Sequence, residues 1–251
     1  MKRGLAAELR PCLGQGASRR AGVGRVRRPA FLSILRDRVA KESMMQIDIY
    51  SDIVCPWCYV GKRRLERALT SVGGHIHVTW RPFQLNPTMP LDGMDRTSYL
   101  KAKFGSMEAF GRMEEQLLAA GADEQIPFAF EMIRRTPNTF AAHRLVWYAA
   151  QQGKQDEVVE TLFRAYFLEG KNIGDVKVLT EVAADVGLDR TETEGFLASE
   201  KGVVEVKGEE AVGRQLGIRG VPYFVLNGTV SISGAQPADI FVSAIRQAEK
   251  S

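Results

Sequence analysis

Cysteine is scarce in this chain: three residues in 251, at Cys12, Cys55 and Cys58. A disulfide-stapled secreted fold uses a denser set, so that class is disfavoured. No second cysteine pair accompanies Cys55 and Cys58, and two thiolates alone do not complete a four-ligand structural zinc site. Long apolar runs are absent too. None approaches the roughly 18 residues that a membrane-spanning helix needs, so no membrane partner is expected. Positive charge is lacking where it would matter. The chain carries +4 overall, but residues 1–43 hold +8 and residues 44–251 hold −4. The mildly acidic remainder offers no electrostatic footprint for nucleic acid.

The first 43 residues lack hydrophobic periodicity and are rich in Gly, Ala and Arg. Their longest apolar run, "AFLSIL", is broken by Ser33 and followed by Arg36 and Arg38, which argues against a secretory signal. A transit peptide fits the Arg-rich composition somewhat better. Met44-Met45 stand directly before the first strand pattern. The expectation is therefore that 1–43 are an upstream translation start or a disordered tail, and that Cys12 is an incidental thiol. With no clear signal peptide, the expected compartment is the cytoplasm.

The rest of the chain has patterned ends. "QIDIYS" alternates Ile47 and Ile49 and predicts a strand over 46–51. A helical pattern follows, with Leu65, Ala68 and Leu69 inward, and stops at Gly73-Gly74. "HIHVTWRPF" alternates again and predicts a second strand, which makes a βαβ unit. From about 88 to 216 the periodicity is helical. One long amphipathic run covers "SYLKAKFGSMEAFGRMEEQLLAAG", and later helices open at Asp175 and Asp189. The last 35 residues return to β: "PYFVL", a two-residue Asn227-Gly228 hairpin turn, then "TVSIS". A closing helix should turn Ile240, Phe241, Ala244 and Ile245 inward. The fold class predicted is α/β with an all-helical insertion. The divisions expected are a basic extension at 1–43, an α/β domain from 44–87 with 204–251, and a helical insertion over 88–203.

The chemistry concentrates in "SDIVCPWCYVGKRRLE", residues 51–66. Cys55 falls at the N-terminus of the first helix, where unsatisfied N–H groups and the helix dipole favour a thiolate. Pro56 suits the first helical turn because it has no N–H to waste. Cys58, one turn on, is close enough to close a disulfide with Cys55 and should be more buried. That arrangement suits dithiol exchange, with Cys55 attacking and Cys58 resolving. A purely structural disulfide would gain little from so short a loop, and a metal site would need partners that His75 and His77, facing outward from a strand, do not supply.

Other residues remain open between roles. Trp57, between the cysteines, is a substrate contact or an indole packed on the helices. Lys62, Arg63, Arg64 and Arg67 are a solvated helix face or a lure for the carboxylates of glutathione. Asn86 is a turn residue or a lining of the cleft, and His143 a core histidine or a cleft residue. Val221-Pro222 precede a strand, where proline is sterically permitted.

Taken together, "DIYSDIVCPWCYVGKRRLE", "WRPFQLNP", "NTFAAHRL", "GIRGVPYFVLNG" and "SGAQP" give residues 45–250 a resemblance to the DsbA-like thioredoxin superfamily, in its FrnE-like branch. The resemblance implies a thioredoxin-like fold with a helical insertion and a thiol–disulfide oxidoreductase. It implies Cys55 as nucleophile, Cys58 as resolving thiol, Pro222 as a cis proline facing them, and the Val221 backbone as a pairing site for an extended substrate. The expected partners are protein or small-molecule thiols and disulfides. No bound cofactor or metal is expected, though glutathione is a candidate co-substrate; the chain would be a monomer or homodimer. A neighbouring branch, the 2-hydroxychromene-2-carboxylate isomerases and kappa-class glutathione transferases, shares the architecture but carries serine where Cys55 stands. Some FrnE-like proteins have a second cysteine pair near the C-terminus; none follows Cys58 here.

Overall fold

The computed structural model describes residues 44–250. The expectations for 1–43, Cys12 included, lie outside them. A four-stranded sheet forms the centre, in the order β2-β1-β5-β6. Strand β1 is Met45–Ser51, β2 is Ile76–Pro82, β5 is Tyr223–Leu226 and β6 is Val230–Ser233. β1 runs parallel to β2, as its helical crossover requires, and antiparallel to β5. Ile49 sits between Trp80 and Phe224 in this register, and all three are buried. Alternation along β1 gives the sheet two apolar faces. Ile47 and Ile49 join the main core, while Tyr50 packs with Phe83 and Ile218 in a smaller one.

The crossover helix α1, Pro56–Val72, packs beside the closing helix α9, Ala238–Ala248. α9 buries Phe241, Ala244, Ile245 and Ala248, a stripe at helical spacing. Ile240, expected inward, is 44% exposed because it falls one step off that stripe. The hairpin also differs slightly from expectation. Asn227 and Gly228 both take positive φ, 48° and 69°. Yet the ladder closes on Leu226–Val230, leaving three residues in the loop rather than two. Asn227 is fastened there by its side chain, which accepts from Gln46 N at 2.9 Å and donates to Ala248 O at 3.1 Å.

Between β2 and β5 lie seven helices: α2 (Arg96–Phe104), α3 (Met107–Asp123), α4 (Phe140–Gln151), α5 (Gln155–Phe167), α6 (Val176–Asp185), α7 (Arg190–Ala198) and α8 (Val203–Gln215). A two-residue ladder of β3 (Met94–Asp95) and β4 (Arg135–Thr136) clasps the start of α2. The single run expected over 98–121 is broken into α2 and α3. Gly105 ends α2 at φ 82°, and the Ser106 hydroxyl then caps α3 by accepting from Ala109 N at 3.1 Å. Asp175 and Asp189 cap α6 and α7 as the sequence predicts. An aromatic stack ties this helical segment to α1, with Tyr59 lying 5.0 Å from Phe163 and nearly parallel to it.

Candidate active site

β1 ends at Ser51, and one turn of chain delivers Cys55 to the N-cap of α1. Cys55 N donates to Asp52 O at 2.9 Å, and Cys58 N to Cys55 O at 3.0 Å. Cys55 has extended backbone angles and no side-chain cap of its own. Pro56 occupies the first helical turn, as expected. Both cysteines are free thiols. Cys58 is the deeper of the two, at 1% exposure, but Cys55 is only 5% exposed. Burial and the adjacent Cys55 push the Cys58 thiol well above its ordinary value, against the opposing pull of the Ser51 hydroxyl beside it.

Across from the cysteines, the Val221–Pro222 peptide is cis. The Cys55 thiol donates to the Val221 carbonyl at 3.5 Å. Gly61 on α1 leaves room for this approach: a Cβ there would come within 3.1 Å of Pro222 and 3.2 Å of Phe224. Trp57 is half-buried, packed on the core, and lines a cavity with Cys55. That cavity holds about 230 Å³. Val54, Cys55, Pro56 and Trp57 form its near wall; Leu85, α2, α3, Phe130 and the ends of β4 and α5 form the rest.

The other candidates separate. Asn86 is a turn residue: its Oδ1 accepts from the Thr88 hydroxyl at 3.0 Å and its carbonyl from Met89 N at 3.1 Å, and it does not line the cavity beside Cys55. His143 is buried in α4 and lines a second cavity, of about 140 Å³, together with Ser51. Its Nε2 lies 3.4 Å from Asp52 Oδ1, and neither atom has a hydrogen-bond partner. Asp52 was not singled out from the sequence, although it immediately precedes the turn to Cys55. Its other oxygen accepts from Leu85 N at 2.7 Å, tying that turn to the segment after β2.

The basic face of α1 is solvated only at Arg67, which is exposed. Lys62 is 3% exposed and reaches Asp156 at 3.1 Å, Glu160 at 3.3 Å and Glu66. Burial lowers its pKa, but these carboxylates outweigh burial and raise it overall. Arg63 pairs with Glu66 and Glu160, and Arg64 and Arg67 share Glu124. These cations are spent on joining α1 to α5 and to the end of α3, which leaves them little field to offer glutathione. Among the described residues, no group of three or more His, Cys, Asp or Glu is gathered to hold a metal. No described helix is long and apolar enough to cross a membrane.

The DSBA-like thioredoxin domain pattern matches residues 46–246. The chain belongs to this family. It is 32% identical over 214 residues to the uncharacterized protein YwbO of Bacillus subtilis (strain 168), covering 82% of this chain and 98% of that one. Its fold is similar to that of a probable DsbA oxidoreductase, SCO1869, from Streptomyces coelicolor, with 36% identity and a TM-score of 0.75. That match covers 81% of this chain and 89% of the other. The fold alone is also shared with a 2-hydroxychromene-2-carboxylate isomerase, at 18% identity and a TM-score of 0.64, over 80% of this chain and 95% of that one. The expected α/β thioredoxin-like fold with helices inserted is thus the one observed.

Proposed function

We propose that the chain is a thiol–disulfide oxidoreductase of the FrnE-like type, working through Cys55 and Cys58. The observation that carries this reading is the placement of Cys55. It stands at the start of α1, one turn from a deeper Cys58, with its thiol turned to the Val221 carbonyl. Cys55, standing at the start of α1, attacks as thiolate one sulfur of a substrate disulfide. The substrate S–S bond breaks, a Cys55–substrate disulfide forms, and one substrate thiolate leaves. Cys58 then attacks Cys55, closing the Cys55–Cys58 disulfide. Its proton goes to the second departing sulfur, so substrate gains two electrons and the protein dithiol loses two.

The isomerase reading has the same fold behind it, but the resemblance implies serine at position 55 for that branch, and cysteine stands here. Glutathione is retained as a candidate thiol co-substrate. In a compartment that keeps thiols reduced, the pair would run as a reductant or isomerase. The test is the redox equilibrium of the pair against glutathione, read by the fluorescence of Trp57 beside the sulfurs. A reversible transition that vanishes in Cys55→Ser is expected. No transition, with glutathione bound tightly, would move the reading to the isomerase branch.

A further inference from the structure

Cys55 is nearly closed to solvent, yet it lines a cavity of about 230 Å³. A cavity of roughly 150 Å³ already accepts benzene, so this one has room for a substituted aromatic ring. Its walls are largely apolar, with Trp57, Leu100, Phe110 and Phe167 among them. Two cations stand on that apolar surface. The Arg96 guanidinium lies over the rings of Phe110 and Phe130, at 5.8 and 5.7 Å. The Lys103 ammonium lies over Tyr99 and Phe104, at 5.4 and 5.5 Å. Neither has a carboxylate within 4 Å among the described residues, in contrast to Lys62 and Arg63 on α1. Their own polar contacts are few: Arg96 Nη1 donates to the Tyr166 hydroxyl at 3.5 Å, and Lys103 Nζ to the Tyr99 hydroxyl at 3.2 Å.

The polar part of the lining is also under-satisfied. The Thr136 hydroxyl is buried without a hydrogen-bond partner. The Tyr166 hydroxyl beside it makes only long bonds, accepting from Arg96 Nη1 at 3.5 Å and donating to Arg135 O at 3.4 Å. Buried polar groups are ordinarily bonded, and a ligand oxygen placed between them and the two cations would complete them. A folded protein surface does not enter such a space, but one arm of a small disulfide does.

We propose that this cavity is a substrate subsite for small organic disulfides that carry an aromatic ring and a carboxylate, held with the ring among the phenylalanines and the carboxylate toward Arg96 and Lys103. This deepens the reading of Cys55 and Cys58 as an exchanging dithiol and rests on it. The bond changes are those already given: the substrate disulfide is cleaved to two thiols as the protein pair is oxidised.

The test compares single-turnover oxidation of the reduced full chain by four probes. They are the symmetrical disulfide of thionitrobenzoic acid (aromatic, anionic), dipyridyl disulfide (aromatic, neutral), oxidised glutathione (aliphatic, anionic) and cystamine (aliphatic, cationic). Each rate is divided by that probe's rate with free dithiothreitol, which removes its intrinsic reactivity. The nitrobenzoate disulfide is expected to show saturation and a normalised rate at least about tenfold above each of the others, as charge and shape complementarity imply. Its preference over dipyridyl disulfide should fall about tenfold in the Arg96→Gln/Lys103→Gln double variant. Lys103→Gln alone, at an exposed site, should lower it part-way. Lys101→Gln, on the same helix but outside the cavity, should change none of the rates.

Equal normalised rates, or a preference for either aliphatic probe, would overturn the subsite. So would a preference that survives the double variant. Failure of the dithiol reading looks different: no probe would then oxidise the pair, and Cys55→Ser would change nothing. If only the subsite is wrong, all four probes still oxidise the pair, in order of intrinsic reactivity.

Discussion

Two groups of cations flank the cysteine pair, and they have opposite surroundings. On α1, Lys62 and Arg63 are ringed by Glu66, Asp156 and Glu160, which neutralise them. On α2, Arg96 and Lys103 face aromatic rings and a cavity, with no carboxylate within 4 Å among the described residues. The first group builds the protein and the second remains available to a ligand. Basic residues near an active site are thus not one kind of feature. Which role each takes depends on the acids brought in from elsewhere in the chain.

The contrast breaks most visibly at Lys62. Lys62→Met leaves three carboxylates facing a buried gap. Breaking a fully buried pair costs about 3–5 kcal/mol, and here the partners keep 21 to 57% exposure. The expected loss is therefore about 2–3 kcal/mol, read from the urea midpoint at unchanged slope. Oxidation of the folded variant by dipyridyl disulfide should proceed at the parent rate. A loss under about 0.5 kcal/mol would place Lys62 among ordinary surface residues.

Alkaline pH sharpens the same contrast. Burial, with Glu160 adding to it, pushes Tyr59 up to about 12, and burial pushes Tyr166 up to about 12. In the unfolded chain both ionise near 10, so between pH 10 and 12 the folded state holds more protons and stability falls as pH rises. Lys62, also raised, acts in the same direction. Cys58 adds an earlier onset, near pH 9, but only in the dithiol form. Melting temperatures of oxidised and reduced protein should therefore diverge above pH 9, the reduced form losing more. Parallel curves would mean that the Cys58 thiol is not held protonated by its surroundings.

The smallest effects belong to the exposed side. Arg67, 61% exposed although paired with Glu124, should cost no more than about 0.5 kcal/mol as Arg67→Ala. Arg64→Ala should cost more, about 1–2 kcal/mol, because Arg64 is more buried and also donates to Ala235 O at 2.6 Å. Equal urea midpoints for the two variants would erase the distinction.

What the sequence disclosed follows the range of each interaction. The β1–α1–β2 unit and the place of Cys55, Pro56 and Cys58 were legible because alternation, helical spacing and capping act over a few residues. The burial of Lys62 was not, since Asp156 and Glu160 lie almost a hundred positions away and only packing of α5 on α1 brings them near. His143 was named from the sequence, but its pairing with Asp52 escaped for the same reason, the two being 3.4 Å apart across the core and remote in sequence. The break at Gly105 was written locally, in a glycine followed by a serine cap, but the hydrophobic period runs straight through it. The cavity had no signature at all. Its walls come from α1 and the turn before it, Leu85, α2, α3, Phe130, β4 and α5, and no single stretch records that they converge.

The order of the sheet has a consequence in time. β1 leaves the ribosome well before its second neighbour, β5, which lies some 175 positions later, where Ile49 meets Phe224. The helices between them can form as they emerge, being local structures, while the sheet waits for β5 and β6. Until then one edge of the central strand has no partner, and the Val221 carbonyl that receives the Cys55 thiol has not arrived. A nascent chain thus carries both sulfurs long before it carries the surroundings that shelter them.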